Sequence, residues 1–192
     1  MATEKDLQQC QEWAKNVAAS QQGGNMNAQV LIETLRLQPL RGEGGFCRET
    51  YRSSERVAAT ALPERYTADK EFGTAIYYLL TPETTSALHR LPTDEVFHFY
   101  LGDPVLMLQL FPGGAGERII LGPDILSGQV VQCVVPRFVW QGATLVAGGG
   151  FALMGTTMAP AFDFADFELG NRAELLAQYR EHAELINRLT NE

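Results

Sequence analysis

Histidine and cysteine are both scarce in this chain, each with three residues in 192. Cys10, Cys47 and Cys133 are odd in number and irregularly spaced, which fits neither a disulfide framework nor a zinc knuckle, so reduced residues in the core or on helices are expected. No cluster of Lys and Arg occurs, and 15 basic against 23 acidic residues leave a net charge of −8. That balance repels polyphosphate chains and anionic membrane surfaces, so neither nucleic acid nor membrane is an expected partner. No apolar run is long enough to cross a bilayer, and Met1 to Cys10 lacks the basic start and apolar centre of a signal peptide. A cytoplasmic location is expected on that ground. Internal repeats, low-complexity stretches and an interdomain linker are also lacking. The length suits one core, and a single domain spanning residues 1–192 is expected.

The hydrophobic pattern changes period twice along the chain. Residues 5–37 carry Leu7, Val17, Val30, Leu31 and Leu35 at helical spacing, interrupted at Gln22-Gly-Gly-Asn25, which predicts two helices within an N-terminal segment of about residues 1–40. Phe46 to Arg52 alternates as a strand with one wet face, and residues 53–70 read as a polar loop. From Phe72 onward short runs of strand period recur: 73–80, 85–90, 95–101, 105–111, 117–121, 130–135, 138–144 and 151–158. Turn signals such as Gly102-Asp-Pro104 and Pro112-Gly-Gly114 separate them. Short strands so evenly spaced predict a sandwich, jelly roll or small barrel over residues 44–160. Asn171 then stands at a plausible N-cap, three residues ahead of Glu174. Leu175, Leu176, Tyr179, Ala183, Ile186 and Leu189 mark the buried stripe of one final helix over residues 171–190.

Two of the three histidines fall in one segment, Ser86 to Gly102, together with Arg90, Asp94 and Glu95. Imidazole and carboxylate groups facing one cavity can ligate a metal or exchange protons near neutral pH. Glu95 and His98 are three apart on one expected strand, so regular alternation turns them to opposite faces. Glu95 shares its face with Phe97 and Phe99. Gln109 and Gln141 are candidates to read polar groups, and Trp140 and Phe97 are candidate pocket walls. Tyr51, Tyr77, Tyr78 and Tyr100 offer phenols, of which about half should face away. His182, among charged neighbours near the C-terminus, reads as a solvated residue.

The segments Glu43-Gly-Gly-Phe-Cys-Arg-Glu-Thr-Tyr51-Arg52, His89-Arg-x-x-x-Asp-Glu95-x-x-His98, Gly102-Asp-Pro, Leu121-Gly-Pro-Asp, Val135-Pro136 with Trp140-Gln141, and Phe162-Asp-Phe-x-Asp-Phe-Glu168 together resemble the cupin 5 or DUF985 family. The resemblance runs from about residue 27 to 188. It implies a mainly β fold, a double-stranded β-helix barrel with N-terminal helices and a C-terminal helix, and a homodimer. It also implies a loose kinship with sugar epimerases of the dTDP-4-dehydrorhamnose type. Metal-binding cupins place histidines where this chain has Arg90 and Leu88, and a further one where it has Gln141. No cofactor is therefore expected; a transition metal, if held, would use His89, Glu95 and His98. The epimerase comparison implies His89 as a base and Glu95 as the partner that orients the substrate or shuttles a proton. Arg90, Arg48 or Arg52 would then stabilise an oxyanion.

Three functions are carried forward. The first is a barrel that binds a small sugar-like or nucleobase-like molecule and isomerises or epimerises it without metal. His89 and Glu95 would be catalytic, and Tyr51, Arg52, Arg90, Phe97, His98, Gln109, Trp140 and Gln141 would bind the ligand. The second is a metal-dependent dioxygenase or lyase. The third is a non-catalytic metabolite-binding module.

Overall fold

The computed structural model describes residues 26–191. Its first element is helix α1, Ala28–Leu35, begun by Asn27, whose side chain accepts the Val30 amide, and ended at Arg36 in the left-handed conformation. Thirteen strands follow: β1 Gln38–Pro39, β2 Phe46–Arg52, β3 Arg56–Val57, β4 Lys70–Glu71, β5 Thr74–Leu80, β6 Ser86–Arg90, β7 Glu95–Gly102, β8 Val105–Leu110, β9 Gly116–Leu121, β10 Gln132–Val135, β11 Trp140–Leu145, β12 Ala152–Met158 and β13 Glu168–Leu169. Helices α2, Arg172–Gln178, and α3, Ala183–Arg188, close the chain. One sheet runs β1-β2-β5-β12-β7-β10 and the other β13-β6-β11-β8-β9; all their ladders are antiparallel.

The two sheets face each other and bury a shared interior of Tyr78, Leu80, Phe97, Phe99, Met107 and Met154, among others. Each sheet is also covered on its outer face. Leu88, Leu108 and Leu110 of the five-stranded sheet pack against Leu175, Tyr179, Ile186 and Leu189 from the closing helices. Leu79 and Leu153 of the six-stranded sheet pack against Leu31 and Leu37 around α1. Double coverage explains why β5 and β8 read as nearly unbroken apolar runs instead of clean alternations. Fully burying such a side chain stabilises the fold by roughly 1.5–3 kcal/mol.

The flattened barrel expected from the sequence is present, and nine of its strands lie within two residues of their predicted bounds. Three expectations need correction. The stretch 53–70 contains a small ribbon, β3 with β4, and a turn of 3-10 helix at Ala59–Ala61. Lys70 in that ribbon is 2% exposed. The single final helix is two helices, because a 3-10 turn at Arg180–His182 lets Tyr179 turn inward and donate to the Phe111 carbonyl at 3.0 Å. His182 is half-buried, with its ring against Gly116. The first predicted helix, before residue 22, lies outside the described residues, as does Cys10. Cys47 and Cys133 are free thiols.

Candidate functional site

One mouth of the barrel, where β6 ends and β7 begins, holds a cavity of about 140 Å³. Three local departures from regular strand geometry build it. Gly44 and Gly45 take φ values of +101° and +70°, a region L-residues rarely adopt, and a Cβ on Gly44 would collide with the Thr85 carbonyl oxygen. The tight turn they make brings Glu43 over Ser86, whose hydroxyl donates to Glu43 Oε1 at 2.8 Å. The Tyr78 hydroxyl donates to the Gly44 carbonyl at 3.0 Å. Burial, reinforced by the Glu43 charge, holds that phenol well above its usual range.

The second departure lies between β6 and β11. Gln141 pairs with His89 but Ala143 pairs with Ser86, so β6 carries one residue more than its partner. That bulge places Ser86 and His89, three apart, on the inner face while Leu88 packs outside. The third is a bulge at Thr50 in β2. Glu49 is opposite Ile76 and Arg52 opposite Thr74, which puts Glu49 and Arg52 on one face and turns Tyr51 to the other.

The hydrogen-bonded set His89, Gln141 and Glu95 lies at the cavity, with His89 and Glu95 lining it and Gln141 joining them from behind. They are 2%, 2% and 7% exposed. His89 Nδ1 lies 2.7 Å from the Ala87 carbonyl oxygen, which can only accept, so Nδ1 carries the proton and Nε2 keeps a lone pair. Gln141 Nε2 lies 3.2 Å from that lone pair and also donates to Glu95 Oε2. The other end of the amide, Oε1, is buried with no hydrogen-bond partner. Burial pushes the Glu95 carboxyl up; His89 opposes this, Glu43 adds to it, and Thr156 and Gln141 pull it down, with a net upward shift.

The walls are Leu40, Ile76, Leu91 and Met158, with Thr74 and Thr156 between them. An aromatic strap, residues 160–167, covers one side. Phe162 and Phe164 face the cavity, and the Phe167 ring stacks on His89 at 4.9 Å. The strap is tied down by buried Lys70, whose Nζ is 2.8 Å from Asp166 Oδ2 and 3.2 Å from Asp163 Oδ2. Thr74 Oγ1 accepts the Phe162 amide at 3.0 Å.

Of the residues singled out in the sequence, His89, Glu95 and Gln141 come together. Gln109 and Phe97 face the interior but belong to its packing: Gln109 Nε2 donates to the Val134 carbonyl at 3.2 Å and Phe97 lies in the apolar core. Arg52 stands at the rim, bound to Glu49 and Glu71 at 2.8 and 3.0 Å. The others face outward. Arg90 pairs with Glu168 at 2.7 Å and lies over Trp140, which packs beneath the closing helices. Arg48 lies over Tyr77 on the outer face. Tyr51 is exposed, and His98 bonds Thr157 and Gln132 on the outer face of its sheet. Sequence reasoning passed over Glu43, Glu49, Thr74, Thr156, Phe162 and Phe164 as site residues. The signal for Glu43, Glu49, Phe162 and Phe164 was the resemblance segments beginning at Glu43 and Phe162, used for kinship alone; Thr74 and Thr156 had none.

The family described as Cupin superfamily (DUF985) matches residues 29–170. The chain belongs to that family. A protein of known structure from Shewanella oneidensis is 31% identical, with a TM-score of 0.77 over 87% of this chain and 99% of its own. A hypothetical protein from Leishmania major is 28% identical, with a TM-score of 0.77 over 87% of this chain and all of its own. An uncharacterized protein of Saccharomyces cerevisiae is 27% identical over 132 residues, which are 65% of this chain and 66% of that protein.

The metal-holding form of the cupin site does not fit these residues. His98 faces away from Glu95, and the Gln141 amide, a donor, stands between Glu95 and His89. Among the described residues no three His, Cys, Asp or Glu side chains are placed to hold a metal ion. The ligand set His89, Glu95 and His98 is therefore corrected: β7 is regular at that point, and three residues of regular strand reverse the face.

Proposed function

We propose that this cupin binds a small polar molecule at the barrel mouth and moves a proton on it, with His89 and Glu95 as base and acid. The observation that carries this reading is the pair itself. A buried carboxyl held above the usual carboxylate range and an imidazole whose Nε2 lone pair faces the same cavity are joined through one amide. A carboxyl that holds its proton more tightly than usual and an imidazole nitrogen beside it are the two kinds of group that acid–base chemistry near neutral pH uses. Removal of a proton beside a carbonyl, the step shared by isomerases and epimerases, needs those two groups and a dry wall, which the phenylalanine strap supplies. The Gln141 amide would then be displaced or turned as the substrate enters, freeing the imidazole.

The test is exchange of carbon-bound protons in heavy water, followed by NMR with dihydroxyacetone and hydroxyacetone as probes. Exchange on the order of 100-fold above buffer, lost in both Glu95→Gln and His89→Gln, supports the reading. Exchange at the buffer rate by the unaltered protein removes it. One observation favours the non-catalytic binding module instead: Gln141 already occupies the imidazole lone pair. That alternative predicts binding without exchange and an unchanged affinity in His89→Gln.

A further inference from the structure

We infer that the aromatic strap, residues 160–167, is a lid over the barrel mouth, latched shut by Lys70 and lifted to pass the ligand. The inference rests on the reading above only in taking this cavity as the ligand's site. His89 and Glu95 line the cavity yet are 2% and 7% exposed, so a molecule larger than water reaches them only if a wall moves. The other walls are fixed by backbone. The sheets are held in their ladders. The turn at Gly44 and Gly45 is held by main-chain bonds from Gly44 to the Leu40 carbonyl at 2.9 Å, from Leu40 to the Gly45 carbonyl at 3.0 Å and from Ala87 to the Glu43 carbonyl at 2.8 Å.

The strap is attached differently. Backbone anchors it at both ends: the Ala161 amide donates to the Glu71 carbonyl at 3.0 Å, Glu168 and Leu169 pair with β6, and the Gly170 amide donates to the Leu88 carbonyl at 2.7 Å. Between those anchors the main-chain bonds among the described residues stay inside the strap, from Asp166 to the Asp163 carbonyl and from Phe167 to the Phe164 carbonyl. A turn bonded to itself and hinged at both ends moves as one piece. Side chains hold it down: Lys70 on Asp163 and Asp166, Thr74 on the Phe162 amide, and Arg52 on the Phe162 carbonyl at 3.2 Å. Lys70 is the latch among them because it is buried, so lifting the turn strips a buried cation of both its carboxylates. The closed state is therefore the resting one. Phe162 and Phe164 line the cavity from the strap and Phe167 stacks on the His89 ring, so one movement uncovers the imidazole and its reversal shuts water out.

Two thiols report the movement. Cys47 lines the same cavity from β2, and Cys133 packs against the apolar interior, where it follows opening of the whole barrel. Burial raises both thiols above their usual range, so alkylation is slow until they are uncovered. Iodoacetamide is added to the folded full chain at one mildly alkaline pH, and the Cys47 and Cys133 peptides are followed by mass spectrometry. Lys70→Met should speed alkylation of Cys47 at least about fivefold and leave Cys133 unchanged. Removing a cation cannot by itself raise the thiolate fraction, so the gain reads access. Asp166→Asn, which takes away one carboxylate and keeps its shape, should give about a twofold gain and serves if the first variant fails to fold. An unaltered Cys47 rate in both variants, Cys47 and Cys133 rising together in both, or Cys47 of the unaltered folded chain reacting as fast as in urea overturns the inference. Alkylation needs no ligand, so it is read apart from exchange of dihydroxyacetone protons. A working latch without exchange leaves the lid standing and removes the catalytic reading; exchange without a latch effect does the reverse.

Discussion

The two halves of the barrel interior are built on the same strands and differ in what they bury. Toward one end Leu80, Phe99, Val105, Met107, Leu145, Ala152 and Met154 fill the space between the sheets. Toward the other, the same alternation turns Thr74, His89, Glu95, Gln141 and Thr156 inward and leaves a cavity. Strand β7 shows the contrast on one line, with Glu95, Phe97 and Phe99 facing in. Buried carboxylate and imidazole groups cost stability unless they are paired, so the packed half carries the fold and the mouth half carries chemistry at its expense.

That division can be broken by substitution, with effects that should fall in a fixed order. Phe97→Ala should be the largest, a loss of about 3–5 kcal/mol in urea unfolding. Phe97 was a ligand-binding candidate in the sequence; a variant that kept its stability but lost ligand binding would return it to the site and blur the division. Lys70→Met should follow, at about 2 kcal/mol, since it strands Asp166 and half-exposed Asp163 without their cation. Hydrogen exchange should then quicken at residues 160–167 and not in β8, which separates a loosened strap from a weakened core.

Glu95→Gln should act in the opposite direction, raising stability by about 1 kcal/mol at neutral pH. The sign follows from its raised carboxyl. Below the ordinary carboxylate range both folded and unfolded chains are protonated there and the native group carries no penalty. As pH rises through the higher folded value, the unfolded chain has already ionised and that part of the native stability is lost. The advantage of the glutamine variant should therefore grow with pH and vanish under acid conditions in paired unfolding curves. Smallest of all, Arg90→Gln should change stability by less than about 1 kcal/mol, because its pair with Glu168 is solvent-facing. Proton exchange should be unaffected by it. A loss of exchange there would bring the outer face of β6 back into the site.

Alternation made most of this legible before any coordinates. The strands, the shared face of Glu95, Phe97 and Phe99, and the opposite turn of His98 follow from a period of two, and the family resemblance implied that the shared face is the inner one. Several site candidates were adjacent pairs, Tyr51 with Arg52, His89 with Arg90, and Trp140 with Gln141, and neighbours on a strand cannot both face in. Which member of each pair does so depended on bulges and on coverage. The extra residue in β6 decides for His89, the bulge at Thr50 turns Tyr51 out, and the closing helices draw Trp140 outward. None of these leaves a local mark strong enough to be read in advance.

By itself, then, the sequence determined the order of the longer strands, the family, the N-cap at Asn171 and the opposite faces of Glu95 and His98, because those rest on local period, turn chemistry and side-chain type. Only the tertiary structure decided that Glu43 and Phe162, more than a hundred residues apart, border one cavity, that Lys70 fastens a strap over it, and that the flanking arginines point away. Those facts depend on strand register and sheet pairing, which are cooperative properties of the whole barrel and are set by no single segment.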